Sequence, residues 1–249
     1  MKTTILVCLL IISVIAGLAA AALPFPGSTA IASETVTFPD PGLDAAIRQA
    51  LNKPASEPIT QAELDGLTTL NASNRGIADL SGIQYCTHLT RLDLGMNQVA
   101  NTSPLASLAE LTWLELSTNR INDISPLAFL TGLSTLGLGN NEVRDIGPLA
   151  SITHLMVLSL EFNQIEDIRP LSYLSALAQL YLVGNQISDL SPLAPLRDLQ
   201  ELGLDDNRIS DVTVLSSLPA LNLITLGRNQ ISDLSPLVQN GGLGFGDLV

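Results

Sequence analysis

Seven asparagines in this chain stand 22 residues apart: Asn97, Asn119, Asn141, Asn163, Asn185, Asn207 and Asn229. A fixed period of that length constrains the fold more than any other feature, because each period must be one structural turn stacked on the last. The columns around the asparagine are just as regular. Three residues before it stand Leu94, Leu116, Leu138, Leu160, Leu182, Leu204 and Leu226. Five before it stand Leu92, Leu114, Leu136, Leu158, Leu180, Leu202 and Ile224, and eight before it Leu89 and its six leucine successors. After it comes Val or Ile (Val99, Ile121, Val143), then Asp from the second unit on, then Pro-Leu. One such unit cannot bury its apolar side alone, whereas a stack of them shares one long core.

The unit L-x-x-L-x-L-x-x-N-x-[IV]-x-D-[IVL]-x-P-L-x-x-L-x-x is that of a leucine-rich repeat, so the expected fold is an α/β leucine-rich repeat solenoid. Leu-x-Leu alternates with period two, which buries one face of a short strand and exposes the other. Stacked strands form a curved parallel sheet on the concave face. The asparagine turns inward where the chain leaves the strand, and its amide both donates and accepts to backbone groups the turn leaves unpaired. Pro104, Pro126, Pro148, Pro170, Pro192 and Pro236 open short 3-10 turns on the convex face, with Ser103, Ser125, Ser191 and Ser235 expected as their N-caps. Gly147, Arg169 and Val214 depart from the consensus without shifting the register.

Five segments follow. Residues 1–32 read as a signal peptide and processing region: Lys2, an apolar run from Ile5 to Leu18, then small residues, with cleavage between 21 and 32. An uncleaved anchor is the alternative reading of the apolar run. Residues 33–66 form an N-terminal helical cap, in which Asp40-Pro41 opens a helix carrying Leu43, Ile47 and Leu51, and Thr60-Gln61-Ala62-Glu63 is a capping box. Residues 67–88 are a degenerate cap repeat with Arg75 in the asparagine place. Residues 89–242 hold the seven regular repeats, and 243–249 read as the start of a truncated repeat without a cap of its own.

Charge narrows the partners. The 249-residue chain has 11 Lys plus Arg against 24 Asp plus Glu, a formal net charge of −13. Nucleic acid is not an expected partner, since its binding rests on basic residues that neutralise phosphates. No second apolar span follows the leader, so no membrane insertion is expected after cleavage. The protein is expected to be secreted, at the cell surface or periplasmic. With 2 His and 2 Cys in the whole chain, no catalytic constellation, metal site or cofactor is expected. His88 and His154 lie three coils apart, too far to share a metal, and Cys86 takes a leucine position as a core thiol. The ladder Asp123, Asp145, Asp167, Asp189, Asp211 and Asp233 suits turn amides better than a shared calcium ion.

The helical cap and units such as Leu111-Thr112-Trp113-Leu114-Glu115-Leu116-Ser117-Thr118-Asn119-Arg120-Ile121-Asn122-Asp123-Ile124-Ser125-Pro126-Leu127 resemble the internalin type of bacterial leucine-rich repeat protein, over roughly residues 36 to 240. The resemblance implies an exported chain that binds another protein through its concave sheet, with adhesion or host interaction as the setting. In a departure from the well-known members of that type, no immunoglobulin-like module after the repeats and no wall-anchoring signal is expected.

On that face, Trp113, Val157, Phe162 and Tyr181 place large apolar side chains among small and polar ones. Gly137 and Gly139 lie between them and suggest a notch at the third repeat, walled by Trp113 and Phe162, that takes a partner's side chain; Arg91 and Glu115 are further partner-binding candidates on the same face. Glu161, Glu201, Asp205 and Asp206 form an acidic region suited to a basic partner. A protein ligand is the leading expectation. A glycan stacked on Trp113 and Tyr181, or an envelope assembly stacked through the uncapped C-terminal repeat, are the alternatives.

Overall fold

The computed structural model describes residues 34–241 and 243; the expected leader and nearly all of the expected truncated repeat lie outside them. Eight three-residue strands stack in chain order into one parallel sheet: β3 (Thr69–Asn71), β4 (Arg91–Asp93), β5 (Trp113–Glu115), β6 (Thr135–Gly137), β7 (Val157–Ser159), β8 (Gln179–Tyr181), β9 (Glu201–Gly203) and β10 (Leu223–Thr225). The register advances by one repeat at each step, pairing Leu70 with Leu92, Leu92 with Leu114, and onward to Leu202 with Ile224. The middle residue of every strand is therefore buried and its neighbours face outward, as a period of two requires.

Behind the sheet each coil closes through a short 3-10 helix. In the coil of β4, Leu105 N–H donates to Thr102 O at 2.9 Å and Leu108 N–H to Leu105 O at 3.0 Å. Leu89, Leu92, Leu94, Val99, Leu105 and Leu108 of that coil are fully buried, and the same positions recur down the stack as one continuous core. Truncating any of these leucines to alanine would cost about 2–5 kcal/mol.

The asparagine ladder joins each coil to the one before it. Asn141 Oδ1 accepts the Ile121 N–H at 2.9 Å, while its Nδ2 donates to Leu116 O at 3.0 Å and Leu138 O at 3.0 Å. Asn97, Asn119, Asn163, Asn185, Asn207 and Asn229 repeat this pattern. Asn97 also receives the Arg75 N–H, so the degenerate first coil is held by its neighbour's amide rather than by one of its own.

The serines do not cap the 3-10 helices through their side chains. Ser103, Ser125 and Ser191 are the first residues of their helices, and no side-chain bond comes from the cap positions. Ser235 likewise opens α3 (Ser235–Val238). The residue two before supplies the bond instead: Asn101, Asp123, Asp189 and Asp233 each accept the following serine's N–H at 2.8–3.0 Å. Asp145, Asp167 and Asp211 do the same for Gly147, Arg169 and Thr213. A carboxylate one bond longer than a hydroxyl reaches forward across the turn, which is why the aspartate takes the role.

At the N-terminal end, α1 (Pro41–Ala50) buries Leu43, Ala46 and Ile47 on the first coil. Asp40 Oδ1 caps it by accepting from Gly42 and Leu43, and Oδ2 accepts the N–H groups of Ala78 at 2.9 Å and Asp79 at 3.2 Å. One carboxylate thus fastens the cap to the solenoid. A two-stranded antiparallel pair, β1 (Thr35–Val36) with β2 (Ile59–Thr60), leads into α2 (Gln61–Leu64). The Glu63 carboxylate accepts from the Thr60 N–H and hydroxyl and from the Lys53 ammonium. No helix among the described residues is long and apolar enough to cross a membrane.

Candidate functional site

Arg91, Trp113, Glu115, Gly137, Val157, Tyr181 and Glu201 stand at outward strand positions, where the register fixes their neighbours, whereas Gly139, Glu161, Phe162, Asp205 and Asp206 follow the strands in the adjoining turns. Arg91 of β4 stands beside Trp113 of β5, and its guanidinium lies 3.3 Å from the centre of the indole. The contact is a cation–π pair. It leaves Trp113 half-buried rather than fully presented to solvent.

Three coils on from Trp113, Gln179 and Tyr181 of β8 both reach Glu201 of β9. Gln179 Nε2 donates to Glu201 Oε1 at 2.9 Å, and the Tyr181 hydroxyl donates to Glu201 Oε2 at 2.6 Å. Burial, then the Glu201 hydrogen bond and the charges of Glu201 and Glu161, push the Tyr181 phenol up to about 12. It is therefore a neutral donor across the physiological range. Its ring leans over Gly203, where an added Cβ would come within 3.4 Å of Cδ1.

The glycines expected to floor a notch are covered by the protein itself. Gly137 is buried beneath the Glu115 carboxylate, with which any Cβ there would collide. Gly139 is buried beneath Glu161 and Ser159, at 3.1 Å and 3.2 Å from where a Cβ would stand. Glycine here makes room for a carboxylate from the adjoining coil, not for an incoming side chain. Glu115 is further held by the Ser117 N–H at 2.6 Å, and Glu161 by the Ser159 hydroxyl. At the C-terminal side, Asp205 accepts the Gly227 N–H at 2.7 Å and Asp206 pairs with Arg228. Between Trp113 and Phe162 the Glu115 and Glu161 carboxylates thus cover the glycines, and Val157 is half-buried.

One column has a backbone signature that the sequence reading did not detect. The residue before each ladder asparagine holds a positive φ: Met96 (59°), Thr118 (59°), Asn140 (53°), Phe162 (53°), Gly184 (70°), Asp206 (55°) and Arg228 (54°). Asn, Asp and Gly accept this conformation readily, whereas a bulky or β-branched residue is strained there. Asn140, Gly184 and Asp206 in that column were the available signal. Phe162 departs furthest from it and is also 53% exposed.

Other candidates resolve simply. His88 and His154 are both exposed, and His154 Nδ1 lies 3.3 Å from Thr131 O. The Cys86 thiol is buried and its pKa is raised by that burial to about 12, so it is a packing group. Among the described residues no group of three or more His, Cys, Asp or Glu could hold a metal ion.

A family model for leucine-rich repeats in two copies matches residues 65–107, 109–151 and 153–195, more than half of the chain. The crystal structure of an internalin C2 from Listeria monocytogenes is 43% identical with a TM-score of 0.84, over 88% of this chain and 99% of that one. The chain belongs to the internalin family of leucine-rich repeat proteins. A second internalin structure, an internalin F from Listeria monocytogenes, is 34% identical with a TM-score of 0.71, covering 85% of this chain and 70% of that one. Internalin H of Listeria monocytogenes is 45% identical over 65 residues, 26% of this chain and 12% of its own length. This internalin chain therefore spans only a small part of that longer relative.

Proposed function

We propose that this internalin is exported and binds a protein partner through the outward face of its sheet, in adhesion or contact with a host. One observation carries the reading: the three large rings of that face each pack against a neighbouring coil. Trp113 is held under Arg91, Tyr181 by Glu201, and Phe162 against Gly184. Aromatic anchors fixed in advance lose little freedom when a partner arrives, and such anchors are the usual centres of interface energy. Glu115, Glu161, Glu201 and Asp205 surround them, so the fitting partner presents a basic patch around an apolar centre.

The test is capture from host-cell and envelope extracts by the wild-type protein against Trp113→Ser/Tyr181→Ser, with circular dichroism showing both folded. A species held by the wild type and lost by the variant is the expected result. Equal capture by the two proteins would overturn the reading.

A second reading, stacking of the last coil on another chain, draws on the C-terminal end of the sheet. There Ile224, Leu226, Ile231, Leu234 and Leu237 line a cavity of about 350 Å³, and Leu234 is 53% exposed. Under that reading apparent mass rises with concentration and the Trp113/Tyr181 variant assembles as the wild type does.

A further inference from the structure

Four aromatic side chains among the described residues are strongly exposed, and three of them share one repeat position on the helical side, opposite the sheet: Tyr85 (45%), Phe129 (67%) and Tyr173 (65%). Each is the last residue of its 3-10 helix, Ile83–Tyr85, Ser125–Phe129 and Arg169–Tyr173. They are 44 residues apart, so one ring appears on every second coil. The intervening coils carry Ser107 and Ser151, whose hydroxyls donate to the preceding coil, to Gln84 O at 3.2 Å and Ala128 O at 2.9 Å. The surface between the rings therefore stays low. Single exposed aromatics need no explanation, but three in one register with small residues between them form a spaced row.

We propose that this row binds an extended, uncharged β-1,4-linked glycan chain, with one ring stacking on every second sugar. Spacing is the first argument. Two coils at roughly 4.8 Å each along the sheet make about 10 Å the lower bound of the ring spacing on the convex side, near the length of two β-1,4-linked hexopyranose units. In such a chain successive sugars are turned over, so every second one offers the same C–H face to the same side. Charge is the second argument. Although the chain carries a net charge of −13, the 3-10 helices and the residues just after them, from Gly82 to Ala176, carry only Glu110 and Arg169 of the Asp, Glu, Lys and Arg side chains. Arg169 is paired with Asp167, and Asp123, Asp145 and Asp167 at the helix starts accept backbone N–H groups. So few charges beside the rings, in so acidic a protein, suit a neutral polymer. Hydroxyls are the third. Two residues beyond the rings stand Thr87, Thr131 and Ser175, all exposed, where they can exchange hydrogen bonds with sugar hydroxyls. This site is distinct from the sheet face and does not depend on a protein partner there.

Titration calorimetry of the full chain with cellohexaose and chitohexaose, and with α-1,4-linked maltohexaose as the control, tests the proposal. The wild type is expected to bind at least one β-1,4 hexaose and not the α-linked one. Tyr85→Ser, Phe129→Ser and Tyr173→Ser each weaken binding by about tenfold, and the triple variant abolishes it. Because the rings are exposed, all four variants keep the wild-type urea midpoint closely enough to show that they are folded. A register variant, Phe129→Ser with Ser151→Phe, keeps three rings but breaks their spacing, and it should bind as weakly as Phe129→Ser alone. Trp113→Ser should bind glycan as the wild type does. No binding by the wild type, equal binding of maltohexaose, full affinity in the triple or register variant, or loss in Trp113→Ser would each overturn the proposal. So would capture of a protein through these rings without hexaose binding.

Discussion

The ring of Phe162 lies directly against the α-carbon of Gly184 in the next coil, and both residues hold a positive φ, 53° and 70°. A Cβ at position 184 would meet Phe162 Cδ1 at 2.5 Å. Gly184→Ala therefore adds a steric clash to an unfavourable backbone, and a loss of roughly 1–3 kcal/mol is expected in urea unfolding. Phe162→Asn removes the ring but relieves the backbone. Its stability should stay within about 1 kcal/mol of the wild type, which makes it a clean variant for testing the sheet face.

The asparagine ladder should be worth more than any surface group. Asn141→Ala leaves the Ile121 N–H and the carbonyls of Leu116 and Leu138 without their amide partner in a buried turn. Unpaired buried polar groups carry their full desolvation cost, so a loss of about 2–4 kcal/mol is expected. Denaturant melts of Asn141→Ala beside Glu142→Ala, an exposed neighbour, give the comparison. Equal midpoints would contradict the ladder's role.

Acid should loosen the N-terminal cap first. The Lys53 ammonium, then the Thr60 N–H and hydroxyl, hold Glu63 at about 2, well below its ordinary 4.5. Between those values the unfolded chain binds the extra proton and the folded chain does not, so stability falls as pH falls through that window. Asp40 is lowered as well: burial opposes the shift, but the N–H groups of Ala78, Asp79, Leu43 and Gly42 outweigh it. Thermal melts from pH 6 to pH 2 should show a steeper decline for the wild type than for Glu63→Gln, which has no proton to take up there.

Trp113 is the single tryptophan, so its contact with Arg91 can be read alone. Arg91→Ala uncovers one face of the indole, and acrylamide quenching of its fluorescence should rise. Because Arg91 is exposed, stability should change by no more than about 1 kcal/mol. Unchanged quenching would mean that the guanidinium does not cover the ring in solution.

Much of this molecule is legible in its sequence. The 22-residue period named the architecture, the leucine columns named the core, and the asparagine and aspartate columns named their turns. Each of those roles is local: it depends on which way a residue points within its own coil, and a repeating backbone sets that identically every time. The helix at Asp40-Pro41 and the box at Thr60 to Glu63 were legible for the same reason. The β1–β2 pairing and the reach of Asp40 to Ala78 were not, because they join segments 23 and 38 residues apart with no periodic pattern between them. On the sheet face the sequence placed Arg91 beside Trp113, Glu115 beside Gly137 and Phe162 beside Gly184. Only the tertiary structure decided that Arg91 lies over the indole, that Glu115 fills the space above Gly137, and that Phe162 leans on a glycine held at positive φ. A column of residues fixes neighbours, but the side-chain rotamer chooses which neighbour is covered. That choice is made by the packing of two coils against each other.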